Sequence, residues 1–413
     1  MPITESGSRG TIRLADQGEE WREDSMTFAL EGVKIVEMGP FAPANMAGQN
    51  LGDLGADVIV VEPPYNKALG DEWSKGDRFR PENNRNKRMI GLDLKQEEAR
   101  AILHKLVKDA DVLIEANRPG IAKKLGFDYE TLSAINPRLI VASLTGYGQK
   151  GPYAQIPGHG MVWEATGGWL RTQGMGLGNS GGDYTGTPLV HYYNQADIKG
   201  AANFTITILA ALYAREKTGT GQYIDNALFD GVVAVRRPGV PSRGDGAYQN
   251  IRPSWNAYQC KDGKYIAVAA GEVIQWGNLC TGMGVPELAK DRGATGQRAE
   301  EIIQIFQGIF KTRTRDEWFK HLTQWDTEVA KANTIDEAAN DPQVKLRGLH
   351  VEVVGEDGYR EIQYGTPYKL SKTPTRSVHR RAPRLGENTA QILTELGYKK
   401  AEIARLKKAE TIF

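Results

Sequence analysis

Cysteine is almost absent from the 413 residues: Cys260 and Cys280 are the whole complement. They are far apart and have no histidine grouping spaced like a metal knuckle, which excludes a disulfide scaffold or a zinc site; no metal is expected. Both read as reduced packing thiols. An excess of one charge is missing too. Lys plus Arg number 52 against 51 for Asp plus Glu, so the whole chain gives no reason to expect nucleic acid or an anionic membrane as partner. A phosphate-bearing substrate would need only a local basic patch. No run approaches the ~18 uninterrupted apolar residues of a spanning helix. The opening stretch, MPITESGSRGTIRLADQGEEWREDS, is polar and acidic and has no apolar h-region, so it is not read as a signal peptide. A polar N-terminal arm over 1–29, mobile or packed on a partner, and a cytoplasmic protein are expected. Glycine, by contrast, is plentiful at 47 residues, in clusters that suit tight turns rather than linkers.

The length calls for two to three domains. Near Leu30 a first folded unit opens. "VKIVEMG" reads as a buried strand, "PANMAGQNLGDLGA" as a small-residue helix and "DVIVVEPP" as a second strand stopped by its proline pair. Strand–helix–strand at this spacing predicts a right-handed βαβ unit. The pattern repeats through "MIGLDL", the helix "KQEEARAILHKLVKDA", "DVLIEAN" and "RLIVASLTGYG". The fold class expected is therefore α/β: a doubly wound parallel-sheet domain over 30–237, with ligand loops at its strand ends. A long helix, "AANFTITILAALYAREKTG", ends at a C-capping glycine. Residues 238–254, rich in Gly, Pro and Arg, read as a loop. A smaller α+β domain is expected over 255–370: "AYQCKDGKYIAVAAG" is a hairpin about Lys-Asp-Gly, helices follow, and "VEVVGEDGYREIQYG" is a hairpin about Asp357-Gly358. A helical tail over 371–413 is expected to return to the first domain.

Five segments carry more than fold class: "GADVIVVEPP", "NRNKRMIGLDLK", "NRPGIAKKLGFDYETLSAINPRLIVASLTGYGQKGPYA", "AALYAREKTGTGQYIDNALFDG" and "RAPRLGENTAQILTELGY". In this order and spacing the chain resembles the family III CoA-transferases (the carnitine, formyl and bile-acid CoA-transferase group) over roughly residues 30–410. That resemblance implies a transferase acting on acyl-CoA and a carboxylic acid, with coenzyme A as substrate and no permanently bound cofactor. It also implies an interlocked dimer, with itself or with a homologous chain. Position by position it puts CoA contacts at Phe41, Ala42 and Pro43 after the first strand, at Leu92 and Lys95 after "GLDLK", at Asn117 and at Lys124. A lysine ammonium suits a phosphate, and helix N-termini favour anions. Ala116-Asn117 departs from the Asn-Phe that many members place before Arg-Pro-Gly, so the aromatic lining the nucleotide is missing. Pro63 stands where some members carry a cation.

The family's chemistry runs through an aspartate that attacks the thioester and then holds CoA as an aspartyl thioester. Such an intermediate needs a side chain with an acyl carbon. Backbone amides of glycine-rich loops would stabilise the oxyanion. In the resemblance that aspartate precedes Gly-Pro-Pro, twelve residues before an aspartate on the next helix. Here Asp197 is the downstream mark, and counting back gives Thr185, in Thr185-Gly186-Thr187-Pro188. Two readings stand. The longer "GMGLGNSGG" loop re-registers the site and brings in Asp183, or the chain is the subunit without a nucleophile and its partner supplies one; Asp183 is otherwise a turn-capping loop residue. Racemases of the superfamily need Gly-His-Asp as an acid/base stretch, and Gly158-His159-Gly160 lacks the carboxylate. A CoA-ester-binding scaffold without catalysis is the non-enzyme alternative. Glu164 stands where the resemblance commonly has Gln. Trp163, Trp169, Tyr192 and Tyr193 are either an acyl pocket or ordinary core aromatics. Two-subunit members use succinyl-CoA as donor, which is the substrate class the resemblance suggests.

Overall fold

The computed structural model describes residues 27–39, 42–64, 83–167, 195–234, 252–354, 360–376 and 380–413. Phe41, Trp169, Asp183, Thr185, Tyr192, Tyr193 and most of the 238–254 loop lie outside these residues, as do the N-terminal arm up to residue 26 and the Asp357-Gly358 turn. The described residues gather into two compact units, one drawn from 27–167, 195–234 and 342–413, the other from 252–341.

The first unit is built on strand-helix alternation. Its elements run β1 (Lys34–Met38), α1 (Ala42–Asp53), β2 (Asp57–Glu62), β3 (Lys87–Gly91), α2 (Glu97–Lys108) and β4 (Val112–Glu115). Then come α3 (Ile121–Leu125), α4 (Tyr129–Ile135), β5 (Ile140–Thr145), α5 (Gly160–Thr166), α6 (Gln195–Thr218), β6 (Tyr223–Ala227) and α7 (Leu228–Ala234). All six strands pair in parallel in the order β3-β2-β1-β4-β5-β6, so the winding reverses between β1 and β4. Buried Val, Ile and Leu occupy both faces of the strands, as Ile35 and Val36 in β1, Val58 and Ile59 in β2 and Leu113 and Ile114 in β4, because helices cover both faces of a parallel sheet. On one face Val36, Ile59, Leu113 and Val141 pack with Ile102, Leu103 and Leu106 of α2. Each such side chain contributes about 1.5–3 kcal/mol by leaving water. α2 also has Glu97 and Glu98 in its first turn and Lys105 and Lys108 in its last, the arrangement its dipole favours. Against the other face lie α1 and α6, tied by Asn50 Nδ2 donating to Thr205 Oγ1 at 3.2 Å. The small residues of α1 permit this close approach: a Cβ on Gly48 would come within 1.7 Å of Glu37 Oε2.

The second unit holds β7 (Asn256–Gln259) and β8 (Tyr265–Val268), the hairpin its Lys-Asp-Gly turn predicts, with Gly263 at φ 77°. β9 (Val329–Lys331), which no periodicity announces in three residues, adds a third antiparallel strand. Helices α8 (Val273–Gly282), α9 (Gly296–Phe310), α10 (Arg315–Leu322) and α11 (Ile335–Ala339) complete it. Its core is aromatic. Tyr258 stacks on Phe310 at 5.0 Å and Trp276 on Phe306 at 5.4 Å, and the buried indole N–H groups of Trp276 and Trp318 donate to the Leu288 and Phe310 carbonyls.

The chain then rejoins the first unit through α12 (Pro342–Leu346), the antiparallel hairpin β10 (His350–Val354) and β11 (Arg360–Tyr364), α13 (Thr389–Glu395) and α14 (Lys400–Lys408). The sequence draws the smaller domain on to residue 370, whereas the described residues from 342 onward group with the parallel sheet. Long-range polar contacts account for the difference. The Arg85 guanidinium donates to the Tyr364 carbonyl, and Arg376 N donates to Asp53 O at 2.7 Å. Ile392, Leu393, Leu406 and Ile412 enter the sheet core. Ile412 bridges Leu92, Asp93 N donates to Thr411 O at 3.0 Å, and Arg88 is held between Asp57 and Glu395 at 2.6 and 2.7 Å. Edge strand β3 is thus covered rather than open to further pairing. Gly91 is required there, since a Cβ would meet the Phe413 ring at 2.5 Å.

Candidate functional site

In an open parallel sheet, ligands bind beyond the carboxyl ends of the strands, where the winding reverses. That point lies between β1 and β4. Ala42 and Pro43 open α1 directly after β1, and Asn117 follows β4, so these three flank the reversal. Lys124 is exposed on α3, one connection after β4, and Lys95 is exposed just beyond β3. Every described candidate contact therefore sits at or beyond the carboxyl end of a strand. Pro43 is buried where α1 begins, and Leu92 is buried as well. The Leu92 backbone is taken up by Glu62 O and by the bridge to Ile412, so the lysine beyond it is the group left facing solvent. Beside that lysine a shallow groove of about 340 Å³ is lined by Pro64, Asp93, Gln96, Glu410, Ile412 and Phe413.

Two buried polar clusters support this rim. Glu115, the last residue of β4, accepts from Asn117 N at 2.9 Å and Asn117 Nδ2 at 3.2 Å. It also takes a hydrogen bond from Ser143, its register partner on β5, which in turn accepts from Tyr223 OH at 3.1 Å. Burial pushes the Glu115 carboxyl up, against the pull of Ser143 and Asn117. On the opposite face Lys87 Nζ meets both Glu37 oxygens at 2.9 Å, the Asn45 carbonyl at 2.9 Å and Asn84 Oδ1 at 3.1 Å, with both charged side chains at 0% exposure. Burial raises Glu37 and lowers Lys87, each opposed by the charge of the other. The "NRNKR" segment carries three cations, the local basic character a phosphate would need. The structure spends each of its cations on a carboxylate instead: Arg85 on Asp53, Lys87 on Glu37, and Arg88 on Asp57 and Glu395.

At the β5 end, Gly146 lies under the buried Trp163 ring, where a Cβ would approach Nε1 to 2.5 Å. Trp163 packs over that glycine, and among the described residues its indole N–H has no hydrogen-bond partner. Glu164 is buried, and its carboxylate accepts from Ala196 N at 3.1 Å, capping the first turn of α6. No spacing rule joins these two residues, so that cap could not be read in advance. Asp197 follows in the same turn. His159 is exposed at the N-cap of α5, with no carboxylate beside it in sequence. Among the described residues no three His, Cys, Asp or Glu side chains gather as metal ligands, and no helix is long and apolar enough to cross a membrane.

Residues 30–389 match the model of CoA-transferase family III. The chain belongs to that family. It is 36% identical to succinate–glutarate CoA-transferase of Agrobacterium fabrum over 89% of its own length and 95% of the relative's. It is 32% identical to the succinyl-CoA–L-malate CoA-transferase beta subunit of Chloroflexus aurantiacus, covering 90% and 94%. Formyl-CoA:oxalate CoA-transferase of Shigella sonnei is 31% identical, with 94% and 100% covered. Among solved structures, a CAIB/BAIF family protein from Brucella suis superposes with a TM-score of 0.74 at 31% identity, covering 90% of this chain and all of that one. The family III chain is accordingly an enzyme, a CoA-transferase, and its α/β sheet is the family's.

Proposed function

We propose that this chain is the subunit without the nucleophile in a two-chain, interlocked CoA-transferase of the cytoplasm. The complete enzyme moves CoA from an acyl-CoA donor, with succinyl-CoA the first candidate, to a carboxylic acid. The observation that carries this is the spacing of twelve residues from Asp197 back to Thr185, the place the resemblance gives to the aspartate. The partner's aspartate attacks the donor thioester and expels CoA thiolate, forming a mixed anhydride. The thiolate returns to the aspartyl carbonyl and releases the donor's carboxylate. The acceptor carboxylate then reverses the two steps. A threonine hydroxyl acylated by the donor would be left as an ester and could not hold CoA, because it has no acyl carbon of its own. Two relatives support the class: one is named for succinate and glutarate, the other is a beta subunit of a succinyl-CoA–malate transferase. Two free cysteines, both buried, suit a reducing compartment. In this reading Phe41, Ala42, Pro43, Leu92, Lys95, Asn117 and Lys124 meet CoA.

The test is exchange of labelled CoA between succinyl-CoA and succinate. The purified chain alone should give no exchange and no hydroxylamine-sensitive aspartyl thioester. Adding a homologous chain that bears Asp-Gly-Pro-Pro should restore both. Exchange by the chain alone, abolished in Asp183→Ala, would favour the second reading, a complete homodimer re-registered through the long "GMGLGNSGG" loop. Deuterium entering the alpha carbon from solvent would mark a racemase instead.

A further inference from the structure

We propose that Asn45, held by the buried Glu37–Lys87 pair, is a positioning residue for CoA: it fixes the first turn of α1 at the point where the winding reverses. The inference rests on the reading that Ala42 and Pro43 touch the cofactor-sized substrate. It goes beyond that reading by assigning work to residues that themselves cannot reach a ligand.

The geometry is specific. Asn45 Nδ2 donates both to Glu37 Oε1 and to the Gly39 carbonyl, the latter at 3.3 Å. One amide therefore ties the first turn of α1 back to β1 across the connection they share. From the other side Lys87 Nζ donates to the Asn45 carbonyl at 2.9 Å, anchoring the same residue to β3. Glu37 points to the α1 face, since its register neighbours there are Val60 and then Met89. The pair is thus built beneath the helix. Asn45 is 4% exposed and Glu37 and Lys87 have no exposed side-chain surface, so none of the three can meet a substrate directly. Gly48 completes the device. Its missing side chain is what lets the helix lie within reach of Glu37.

A purely structural alternative is available, because buried ion pairs are weak evidence for any single role. The two differ in what moves when the link is cut. The decisive variant is Asn45→Ala, which removes the amide but leaves the Glu37–Lys87 pair and the backbone carbonyl in place. A neutral double variant, Glu37→Gln with Lys87→Met, removes the charges together. Arg405→Ala serves as a control that weakens the distant, exposed contact of α14 with Glu98. CoA binding to the purified chain is measured by titration calorimetry and the melting midpoint by scanning calorimetry.

Asn45→Ala is expected to bind CoA about tenfold more weakly, equivalent to ~1.4 kcal/mol. Arg405→Ala is expected to keep parental binding even where its midpoint falls. The double variant, where it folds, should lose affinity as Asn45→Ala does. Parental CoA affinity in folded Asn45→Ala overturns the inference. Ala42→Trp separates this from the reading beneath it. If Ala42→Trp abolishes binding while Asn45→Ala leaves it unchanged, the CoA site stands and the positioning role falls. If Ala42→Trp binds CoA as the parent does, the site reading fails and the inference goes with it.

Discussion

Removing Lys87 is the most demanding test of the first unit. In Lys87→Met the methionine occupies a similar volume, but Glu37 stays at zero exposure without a counter-charge, and Asn84 Oδ1 and the Asn45 carbonyl lose a donor. Breaking one partner out of a buried pair costs about 3–5 kcal/mol, whereas replacing both partners together is close to neutral. Lys87→Met should therefore lower the unfolding midpoint by about 6–15 °C. Glu37→Gln with Lys87→Met should recover most of that loss. Scanning calorimetry is the suitable assay, because a chain of two compact units can show two transitions and only one should move. The pH dependence adds a sign. Burial already raises Glu37, and in the variant the lowering effect of Lys87 is gone, so the folded pKa lies above the unfolded value of about 4.3. Folded protein then binds more protons, so stability is full below that value and declines as pH rises toward the folded pKa. A variant within about 1 kcal/mol of the parent at pH 7 would refute the account of a desolvated, mutually dependent pair.

Three further outcomes are expected. Burial pushes the Cys260 thiol up to about 11 and the Cys280 thiol up to about 12, so neither should react with iodoacetamide at pH 8 until the second unit unfolds. Phe310→Ala, which removes a fully buried ring stacked on Tyr258, should destabilise that unit by about 3–5 kcal/mol in urea unfolding. Glu337 takes hydrogen bonds from Arg315 and Lys264, and they hold its carboxyl far below the usual range. Its contribution is complete above an ordinary carboxylate pKa of about 4.3 and disappears as pH falls, so Glu337→Gln should narrow the stability gap between pH 7 and pH 3.

β1, β2, β4 and β5 were legible because each holds a short apolar run between helix and turn signals, whereas β3 starts two residues before the "MIGLDL" run and stops at Gly91, and β6 has no such run. The hairpin at Lys-Asp-Gly was legible too, and its glycine adopts the left-handed conformation the turn needs. Long-range pairing was not legible. Nothing local says that Arg85 reaches Asp53 and a carbonyl at Tyr364, so the sequence draws the 350–364 hairpin with the smaller domain, whereas the described residues from 342 onward group with the first unit. For the site, motif position brought Ala42, Pro43 and Asn117 to the reversal of the winding, but the groups that hold them in place were silent. Glu115 and Glu37 look like ordinary strand residues until burial and register are known. The three cations of "NRNKR" are plain in the sequence, whereas their neutralisation depends on carboxylates elsewhere in the chain.

The cover over β3 has a consequence for how the protein is made. Arg88 must wait for Glu395, 307 residues further along. At roughly 5–20 residues per second, the ribosome takes about 15–60 s to deliver that partner. Throughout that interval the nascent sheet presents a bare flank of backbone donors and acceptors, a template for pairing with a neighbouring chain on the same message. Hazard during synthesis should therefore concentrate at this flank, and slowing elongation anywhere between the two unit segments should favour aggregates joined through residues 87–91.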